Sequence, residues 1–277
     1  ELSYPGWETV FENYIPKMKF LGKEPAINIY ASKGCPYQCF YYCVYPLQQG
    51  RKLRTKSPKR VVEEMLYFHN KLEIKNFIFR DPVFSLNRKH TMELCEKLIL
   101  LDKKFNICIE THLKNIDDEL ASKLYEAGVR LIYVGIETSD EEVKKNAHRS
   151  SEKNDLQIEK IKFLQKIGID IKAMYIIGLP TDTETTYLNT LNFSKKIAST
   201  YAQFSVFTPY PGTPAFEGYK DKITTSKFED FNQWQLVFEH ENFDKKKIRK
   251  LLDLSYRKYY FRFSWFFKNF TKLFKIL

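Results

Sequence analysis

The sequence predicts an α/β protein, a partial (β/α)6 barrel of the TIM type followed by a helical, basic and aromatic C-terminal extension. Two observations predict this class. Six short β-rich runs alternate with helical segments over residues 26–215, and the lengths between them suit right-handed crossovers between parallel strands. The runs are apolar, as expected of strands covered on both faces. We therefore expect a linker at 1–25, a core barrel at 26–215 and the extension at 216–277.

Each predicted strand is followed by a segment with helix signals. Strands are predicted at 26–32, 76–81, 105–112, 130–137 and 170–180, and a last strand together with the loop that follows it is predicted at 202–214. Helices are predicted at 57–72, 87–101, 117–128, 140–146, 152–167 and 184–199. Ser57 fits the N-cap of the first helix and Pro58 its first turn, whereas Gly128 and Gly168 fit helix ends.

Polar residues and glycines follow the ends of the predicted strands. Ligands of parallel α/β sheets bind beyond the carboxyl ends of the strands, so we expect the functional site at this rim. The residues found there, in strand order, are Cys35, Cys39 and Cys43; Arg80 and Asp81; Glu110, Thr111 and His112; Gly135, Glu137 and Thr138; 178–184; and 208–214.

Three of the five cysteines, Cys35, Cys39 and Cys43, lie within nine residues directly after the first predicted strand. Three thiolates can hold three irons of a cubane iron–sulfur cluster and leave the fourth iron open to a substrate. A structural zinc site is the first alternative, but it requires four N or S ligands, and no second cysteine pair is present. A catalytic thiol is the second alternative, and it would leave two cysteines unexplained. Cys95 and Cys108 lie in apolar surroundings and are predicted to be core residues.

Composition narrows the class of protein. An odd number of clustered cysteines disfavours a secreted disulfide scaffold and favours a reducing compartment. No run of about 18 apolar residues is present, so no membrane-spanning helix is predicted. The net charge is +11, and residues 244–277 carry eleven Lys and Arg against two Asp. This basic tail indicates an anionic surface as partner.

Five segments together resemble a known family. They are KGCPYQCFYYCVYPLQQGRKLRT at 33–55, FRDPVF at 79–84, VGIET at 134–138, IIGLPTDT at 176–183 and PYPGTP at 209–214. In this order they resemble the radical S-adenosylmethionine (SAM) superfamily, and in particular the subfamily whose members often carry an N-terminal cobalamin-binding domain. The resemblance covers residues 26 to about 215, and residues 1–25 are then expected to be a linker that follows such a domain.

The resemblance implies an activity and its cofactors. The implied cofactors are a 4Fe–4S cluster, SAM bound at its open iron, and cobalamin as a further candidate. A one-electron donor of the flavodoxin or ferredoxin type would reduce the cluster. Cleavage of SAM would then give a 5′-deoxyadenosyl radical that attacks an unreactive C–H bond. A transferase, specifically a methyltransferase acting on a small-molecule or lipid-like substrate, is expected more than a lyase or an oxidoreductase.

The resemblance also implies residue roles. Cys35, Cys39 and Cys43 would bind the cluster. The implied SAM contacts are Tyr41 or Tyr42 and Gly178 at the adenine, Asp81 at the methionyl amine, and Glu110 and Glu137 at the amine or the ribose hydroxyls. The alternative for Glu110 and Glu137 is a structural pairing, and for Asp81 a strand end. No acid or base is assigned, and His112 is taken as a loop residue.

The cysteine spacing departs from the family pattern, so other functions must also be considered. The spacing here is C-x3-C-x3-C, one residue longer than the family's C-x3-C-x2-C. A loop that absorbs the extra residue as a bulge would still gather the three sulfurs. If it does not, the chain is a non-catalytic iron–sulfur or barrel-type binding protein. A radical SAM enzyme that modifies RNA is a further alternative.

The tail at 259–277 interleaves Phe and Trp with Lys and Arg. The favoured interpretation is an amphipathic helix lying in an anionic membrane surface, which would make a cytoplasmic protein peripheral to the inner face of the membrane. The alternatives are a helix packed on the barrel and, with least support, a nucleic-acid-binding segment.

Overall fold

The computed structural model describes residues 3–11 and 25–273 of the chain. Its main sheet has six parallel strands in chain order, β1-β4-β5-β6-β7-β8, as predicted for a partial barrel. A separate antiparallel pair, β2 and β3, is formed by the segment of the chain that connects β1 to β4. The strands are β1 Ala26–Ile29, β2 Ser32–Lys33, β3 Arg54–Thr55, β4 Asn76–Phe79, β5 Asn106–Thr111, β6 Val129–Glu137, β7 Asp170–Ile177 and β8 Tyr201–Val206.

The helices follow the predicted order. They are α1 Tyr45–Gln49, α2 Pro58–Leu72, α3 Arg88–Ile99, α4 Asp118–Glu126, α5 Glu141–Asn146, α6 Asn154–Lys166, α7 Glu184–Ile197, α8 Pro214–Tyr219, α9 Lys245–Tyr260 and α10 Phe263–Leu273. The predicted start of α2 is confirmed, because the Ser57 side chain accepts a hydrogen bond from the Arg60 backbone N–H. Helices α1 and α8 were not predicted, since they are short and lie next to Pro46, Pro214 and glycines that favoured a loop.

Several strands end earlier than predicted at their carboxyl ends. The run at 170–180 stops at Ile177, because Gly178 takes a left-handed conformation with φ +74°. In the run at 202–214, predicted as a strand followed by a loop, the strand ends at Val206, ahead of the proline-rich stretch. Polar, glycine and proline residues that follow the strands thus form rim loops rather than strand ends.

The strands alternate between buried and half-buried residues, which corrects the expectation that they are apolar on both faces. In β7, Ile171 and Tyr175 are buried, whereas Lys172 and Met174 are half-buried. Helices α4, α6 and α9 pack on β6, β7 and β8 and cover one face. Among the described residues, the edge strands β1 and β8 do not pair with each other, so the sheet stays open. The half-buried side chains line its second face, here called the open face.

A polar row crosses the open face. Strand pairing aligns Glu110 of β5 with Tyr133 of β6, Tyr133 with Lys172 of β7, and Lys172 with Tyr201 of β8. Lys172 Nζ lies 4.8 Å from the centroid of the Tyr133 ring. Polar side chains therefore lie inside the barrel, which the sequence interpretation had reserved for apolar ones.

The C-terminal extension is helical mainly in its second half, α9 and α10. Tyrosine hydroxyls of α9 form hydrogen bonds with backbone N–H and C=O groups of the edge strand β8. Tyr256 Oη donates to Phe204 O at 3.0 Å and accepts from Phe204 N at 3.2 Å. Tyr260 Oη does the same with Ala202 O and N at 2.8 and 2.9 Å. The extension thus closes an edge that would otherwise expose unpaired backbone groups.

The described part of the N-terminal segment docks on the barrel. Trp7 Nε1 donates to Asn28 O at 3.2 Å, and Tyr4 packs on Tyr67 with ring centroids 4.9 Å apart. The rest of the predicted linker, apart from Pro25, lies outside the described residues.

Candidate functional site

The cysteine loop leaves the end of β1 and returns through β3. Ser32 and Lys33 of β2 pair with Thr55 and Arg54 of β3 and close its base. Gly34 has φ +95°, and a Cβ there would lie 2.1 Å from Lys52 O, so only glycine fits. The Cys35 backbone N–H then donates to Gly50 O at 3.1 Å. The loop is therefore shaped by its own backbone before any cofactor binds.

Cys39 and Cys43 lie one helical turn apart. A 3-10 turn spans Gln38–Tyr41, and the Cys43 N–H donates to Cys39 O at 3.0 Å. Residues at i and i+4 share one face of a helical turn, just as residues at i and i+3 do. A helical turn, rather than the bulge considered from the sequence, thus takes up the extra residue of the C-x3-C-x3-C spacing.

All three loop cysteines are free thiols, Cys35 buried and the other two half-buried. Burial raises the pKa of each, that of Cys43 to about 12. The charges of neighbouring loop cysteines raise the pKa of Cys35 and of Cys43 further, whereas the charge of Arg149 opposes the rise at Cys39. In the described part of the chain, no group of three or more His, Cys, Asp or Glu side chains could hold a single metal ion. The thiols thus lie near enough for one to affect the pKa of another, but they do not form a site for a single metal ion.

Asp81 organises the start of the cysteine loop. Its side chain is fully buried, and its carboxylate accepts hydrogen bonds from Ala31 N at 3.1 Å, from Ser32 N, and from Ser32 Oγ at 2.6 Å. Burial raises the pKa of Asp81 to about 6. The carboxylate therefore holds the backbone between β1 and β2, and its contact with the methionyl amine stays a prediction.

Glu110 ends the polar row of the open face at the rim. Tyr45 Oη of α1 donates to its Oε2 at 3.3 Å. Burial raises the pKa of Glu110 to about 7, while the charge of Arg80 opposes that rise. Near neutral pH this carboxyl can therefore hold or release a proton, which is a property of acid–base groups.

Glu137 pairs with an arginine that the sequence analysis missed. Arg149 Nη2 lies 3.6 Å from Glu137 Oε1, and both side chains are nearly buried. Burial raises the pKa of Glu137, and the Arg149 charge opposes this. The structural pairing considered for Glu137 is thus present. Arg149 follows α5 in a polar loop, and nothing in its local sequence distinguishes it from a surface arginine.

Gly178 lies at a position where the backbone conformation and the packing of α9 both favour glycine. It has φ +74°, and a Cβ there would lie 3.0 Å from Ile248 Cδ1 of α9. Its N–H donates to Asp182 Oδ2 at 3.0 Å. The absent side chain therefore makes room for α9, and the contact of Gly178 with adenine stays a prediction.

The two candidate adenine contacts pack against different parts of the rim. Tyr41 lies 5.1 Å from the His148 ring, and Tyr42 lies 6.1 Å from the Phe207 ring, between centroids. His112 is buried, and its Nε2 is 2.6 Å from Ser150 O. Burial lowers the pKa of His112 to about 3, so this ring is neutral, as suits the structural role assigned to it.

The profile of the radical SAM superfamily matches residues 29–194 of the chain. The chain belongs to the radical SAM superfamily. Membership implies a 4Fe–4S cluster and SAM as cofactors, and the predicted α/β class and resemblance are confirmed. The cysteine loop fits the cluster in donor chemistry, since its three free thiols occupy one short segment at the rim.

Relatives include methyltransferases. An uncharacterized methyltransferase of Pyrococcus horikoshii is 28% identical over 236 residues, which cover 84% of this chain and 51% of the relative. Bacteriochlorophyllide d C-12(1)-methyltransferase of Chlorobaculum tepidum is 28% identical over 224 residues, covering 80% and 49%. Hopanoid C-2 methylase of Rhodopseudomonas palustris is 27% identical over 195 residues, covering 69% and 37%. This radical SAM chain thus spans about half the length of the first two.

A solved structure shares the fold. The radical SAM methyltransferase TsrM from Kitasatospora setae, with cobalamin and a [4Fe–4S] cluster bound, superposes with a TM-score of 0.65 at 20% identity. The match covers 71% of this chain and 40% of that one. The likeness shows that the six-stranded sheet has the fold of the partial barrel in TsrM.

Proposed function

We propose that this radical SAM chain carries out C-methylation of a largely apolar substrate. The observation that carries the proposal is the cysteine loop, whose helical turn sets Cys39 and Cys43 on one face despite the longer spacing. When bound, the cluster and SAM supply a carbon radical that attacks an unreactive C–H bond.

Cys35, Cys39 and Cys43 would hold the cluster, and the chain's other residues would position the reactants. Asp81 keeps the base of the loop rigid through its backbone hydrogen bonds. Glu110 is the candidate contact for a polar group of SAM, because it stands on the rim beside the loop.

The open face is the proposed substrate site. Its half-buried row of Glu110, Tyr133, Lys172 and Tyr201 faces away from the helices that cover the sheet. Burial lowers the pKa of Lys172, which indicates that its surroundings exclude much of the solvent. A substrate with an apolar skeleton and a small number of polar groups suits such a surface.

Relatives support a methyl transfer and an apolar skeleton, since their names specify bacteriochlorophyllide and hopanoid substrates. Cobalamin is the proposed methyl carrier, because TsrM, which shares this fold, has it bound. A one-electron donor of the flavodoxin or ferredoxin type would reduce the cluster.

Anaerobic reconstitution tests the proposal. We expect about four irons per chain and release of 5′-deoxyadenosine after reduction with SAM. Replacing Cys35, Cys39 or Cys43 by Ala should abolish both, whereas Cys95→Ala, a buried helix cysteine, should retain both. Iron without 5′-deoxyadenosine would favour the non-catalytic alternative, and iron retained by all three loop variants would refute the assigned ligands.

An anionic membrane surface is the proposed location. Helix α10 turns Trp265 toward the barrel, where Nε1 donates to Thr200 O at 3.0 Å. Phe263 and Phe267, one turn apart, are 85% and 76% exposed, and Phe261 is 88% exposed. Basic residues of the tail accompany these rings, which is typical of interfacial helices. No described helix is sufficiently long and apolar to cross a membrane.

Vesicle sedimentation tests this location. We expect the protein to pellet with vesicles of phosphatidylglycerol and phosphatidylcholine at low salt, and less so at high salt. Replacing Phe263 and Phe267 together by Ser should release it, whereas Phe228→Ser, a 79% exposed phenylalanine outside α10, should not. A wild-type protein that stays in the supernatant at low salt would contradict the proposal.

A further inference from the structure

We propose that Arg149 is a positioning residue of the cysteine loop, whose guanidinium raises the reduction potential of the cluster held there. The inference rests on the proposed cluster site and assigns this site a residue that the sequence motifs do not include. Three observations support it: the backbone conformation that places Arg149 near the loop, the contacts of its guanidinium, and the space that Gly135 leaves for the guanidinium.

The backbone conformation at the end of α5 places Arg149 next to the cysteine loop. His148 has φ +52°, and its N–H donates to Lys145 O at 3.0 Å. The next N–H, that of Arg149, donates to Lys144 O at 2.8 Å. This pair of bonds is the Schellman motif, which usually has glycine at the left-handed position. The chain keeps a histidine there, and its ring packs on Tyr41 of the cysteine loop.

The guanidinium contacts the loop and the end of β6. Its Nη1 lies 3.9 Å from Cys39 Sγ, and its Nη2 donates to Gly135 O at 2.6 Å. The Arg149 side chain is 10% exposed, and its Nε has no hydrogen-bond partner among the described residues. A buried charged group with one unused donor beside the Cys39 thiol has capacity for a further negative partner.

Gly135 leaves the space that the guanidinium occupies. A Cβ at this position would lie 2.8 Å from Arg149 Nη2 and 2.4 Å from Glu137 Oε1. Because Gly135 has no positive φ to explain its presence, close approach is the physical reason for glycine here. The end of β6 is thus shaped around the Arg149–Glu137 pair.

The sign of the effect follows from charge. Reduction adds one electron to the cluster, so a nearby positive charge and an N–H directed at a ligand sulfur favour the reduced form. Burial strengthens this interaction, because the surroundings screen it less than water does. Glu137 partly offsets the arginine charge, so the two side chains should shift the potential in opposite directions.

Redox titration of the reconstituted protein, followed by EPR in the absence of SAM, tests the inference. We expect Arg149→Gln to shift the midpoint potential to more negative values and Glu137→Gln to shift it to more positive values. The control is Arg130→Gln at the opposite end of β6, about 20 Å along the strand, which should leave the potential unchanged.

The Arg149→Gln and Glu137→Gln variants together give the test an outcome even if Arg149→Gln fails to bind iron. If Arg149→Gln no longer binds iron, the sign of the Glu137→Gln shift decides, and an unchanged or more negative potential overturns the inference. Iron-loaded variants that both titrate like the wild type also overturn it, while leaving the proposed function intact. A wild-type protein without iron would instead refute the cluster site itself and the inference with it.

Discussion

At Gly34 the chain turns with a positive φ while its Cα passes close to the Lys52 carbonyl. The neighbouring loop cysteines depend on this turn, because the hydrogen bond from Cys35 N to Gly50 O follows directly. Individual positions elsewhere on the rim act in the same way. Asp81 holds backbone amides, and Gly135 clears space for Arg149. At the residue scale, the site is therefore built mainly by groups that shape the backbone.

Gly34→Ala should disrupt the cysteine loop. The added Cβ would overlap Lys52 O, and φ would become strained, so we expect loss of most iron uptake on reconstitution and a lower melting temperature. Gly218→Ala is the matched control, since nothing lies within 4 Å of its Cβ position in α8. Equal iron contents in the two variants would show that the turn at Gly34 is dispensable.

Glu110 should make stability depend on pH. Its pKa is about 7 in the folded protein against 4.5 for the ordinary carboxyl, so between these values the folded state holds a proton that the unfolded state has released. The free energy of unfolding should therefore fall as pH rises from about 4.5 to 7.

Urea unfolding at several pH values measures this dependence. In Glu110→Gln the contribution is absent, so the difference in stability between wild type and variant should change across the window. The exposed Glu159→Gln serves as control and should run parallel to the wild type. A constant difference for Glu110→Gln would contradict the expected titration.

At the scale of elements, α9 completes the sheet. Tyr256 and Tyr260, four residues apart, stack with ring centroids 6.3 Å apart and send their hydroxyls to alternate residues of β8. Alternate backbone groups of an edge strand face outward, so an i, i+4 pair of hydroxyls matches their spacing. The edge strand is thus protected by side chains rather than by a seventh strand.

Replacing Tyr256 and Tyr260 by Phe should lower the free energy of unfolding, because it weakens the contact between α9 and the edge strand β8. Each change leaves one N–H and one C=O of β8 without its partner, and we expect a loss of about 1 kcal/mol or more per site. The double variant should also aggregate faster on heating, because an unpaired edge can pair with another chain. Thermal melts with light scattering check both effects. Tyr125→Phe on α4 should melt like the wild type, and identical melts for all variants would contradict the proposed protection.

At the scale of the whole molecule, the barrel is open, and the two faces of its sheet differ. One face of the sheet is covered by helices, whereas the other presents the polar row from Glu110 to Tyr201. The rim above it carries the cysteine loop, whose Tyr42 ring packs on Phe207 and whose helical turn lies close to α8. Helix α9 belongs to the folded core, whereas α10 turns the rings of Phe263 and Phe267 outward.

Truncations should separate these two helices. Ending the chain after residue 262 removes α10 and should leave a cooperative thermal transition, because Phe263 and Phe267 are exposed. Ending it after residue 244 also removes α9, whose buried side chains contribute about 1.5–3 kcal/mol each. That sum is comparable with the stability of a whole domain, so cooperative unfolding should be lost. The buried apolar side chains of α9 are Ile248, Leu251, Leu252 and Tyr259.

Circular dichroism during heating measures both truncations. A cooperative transition in the shorter chain would show that α9 is peripheral to the fold. Loss of the transition in the longer chain would show that α10 contributes more than its exposure indicates.

The sequence by itself determined the order of strands and helices, the cysteine loop and the family. Those features depend on local periodicity, turn residues and spacing, which neighbouring residues carry. The tertiary structure decided what distant segments do together. Arg149 contacts Cys39, which is 110 residues away in the sequence, and Tyr256 forms hydrogen bonds with Phe204 of β8, which is 52 residues away. The open face also needed the structure, because a polar residue inside a barrel and one outside it look alike along the chain.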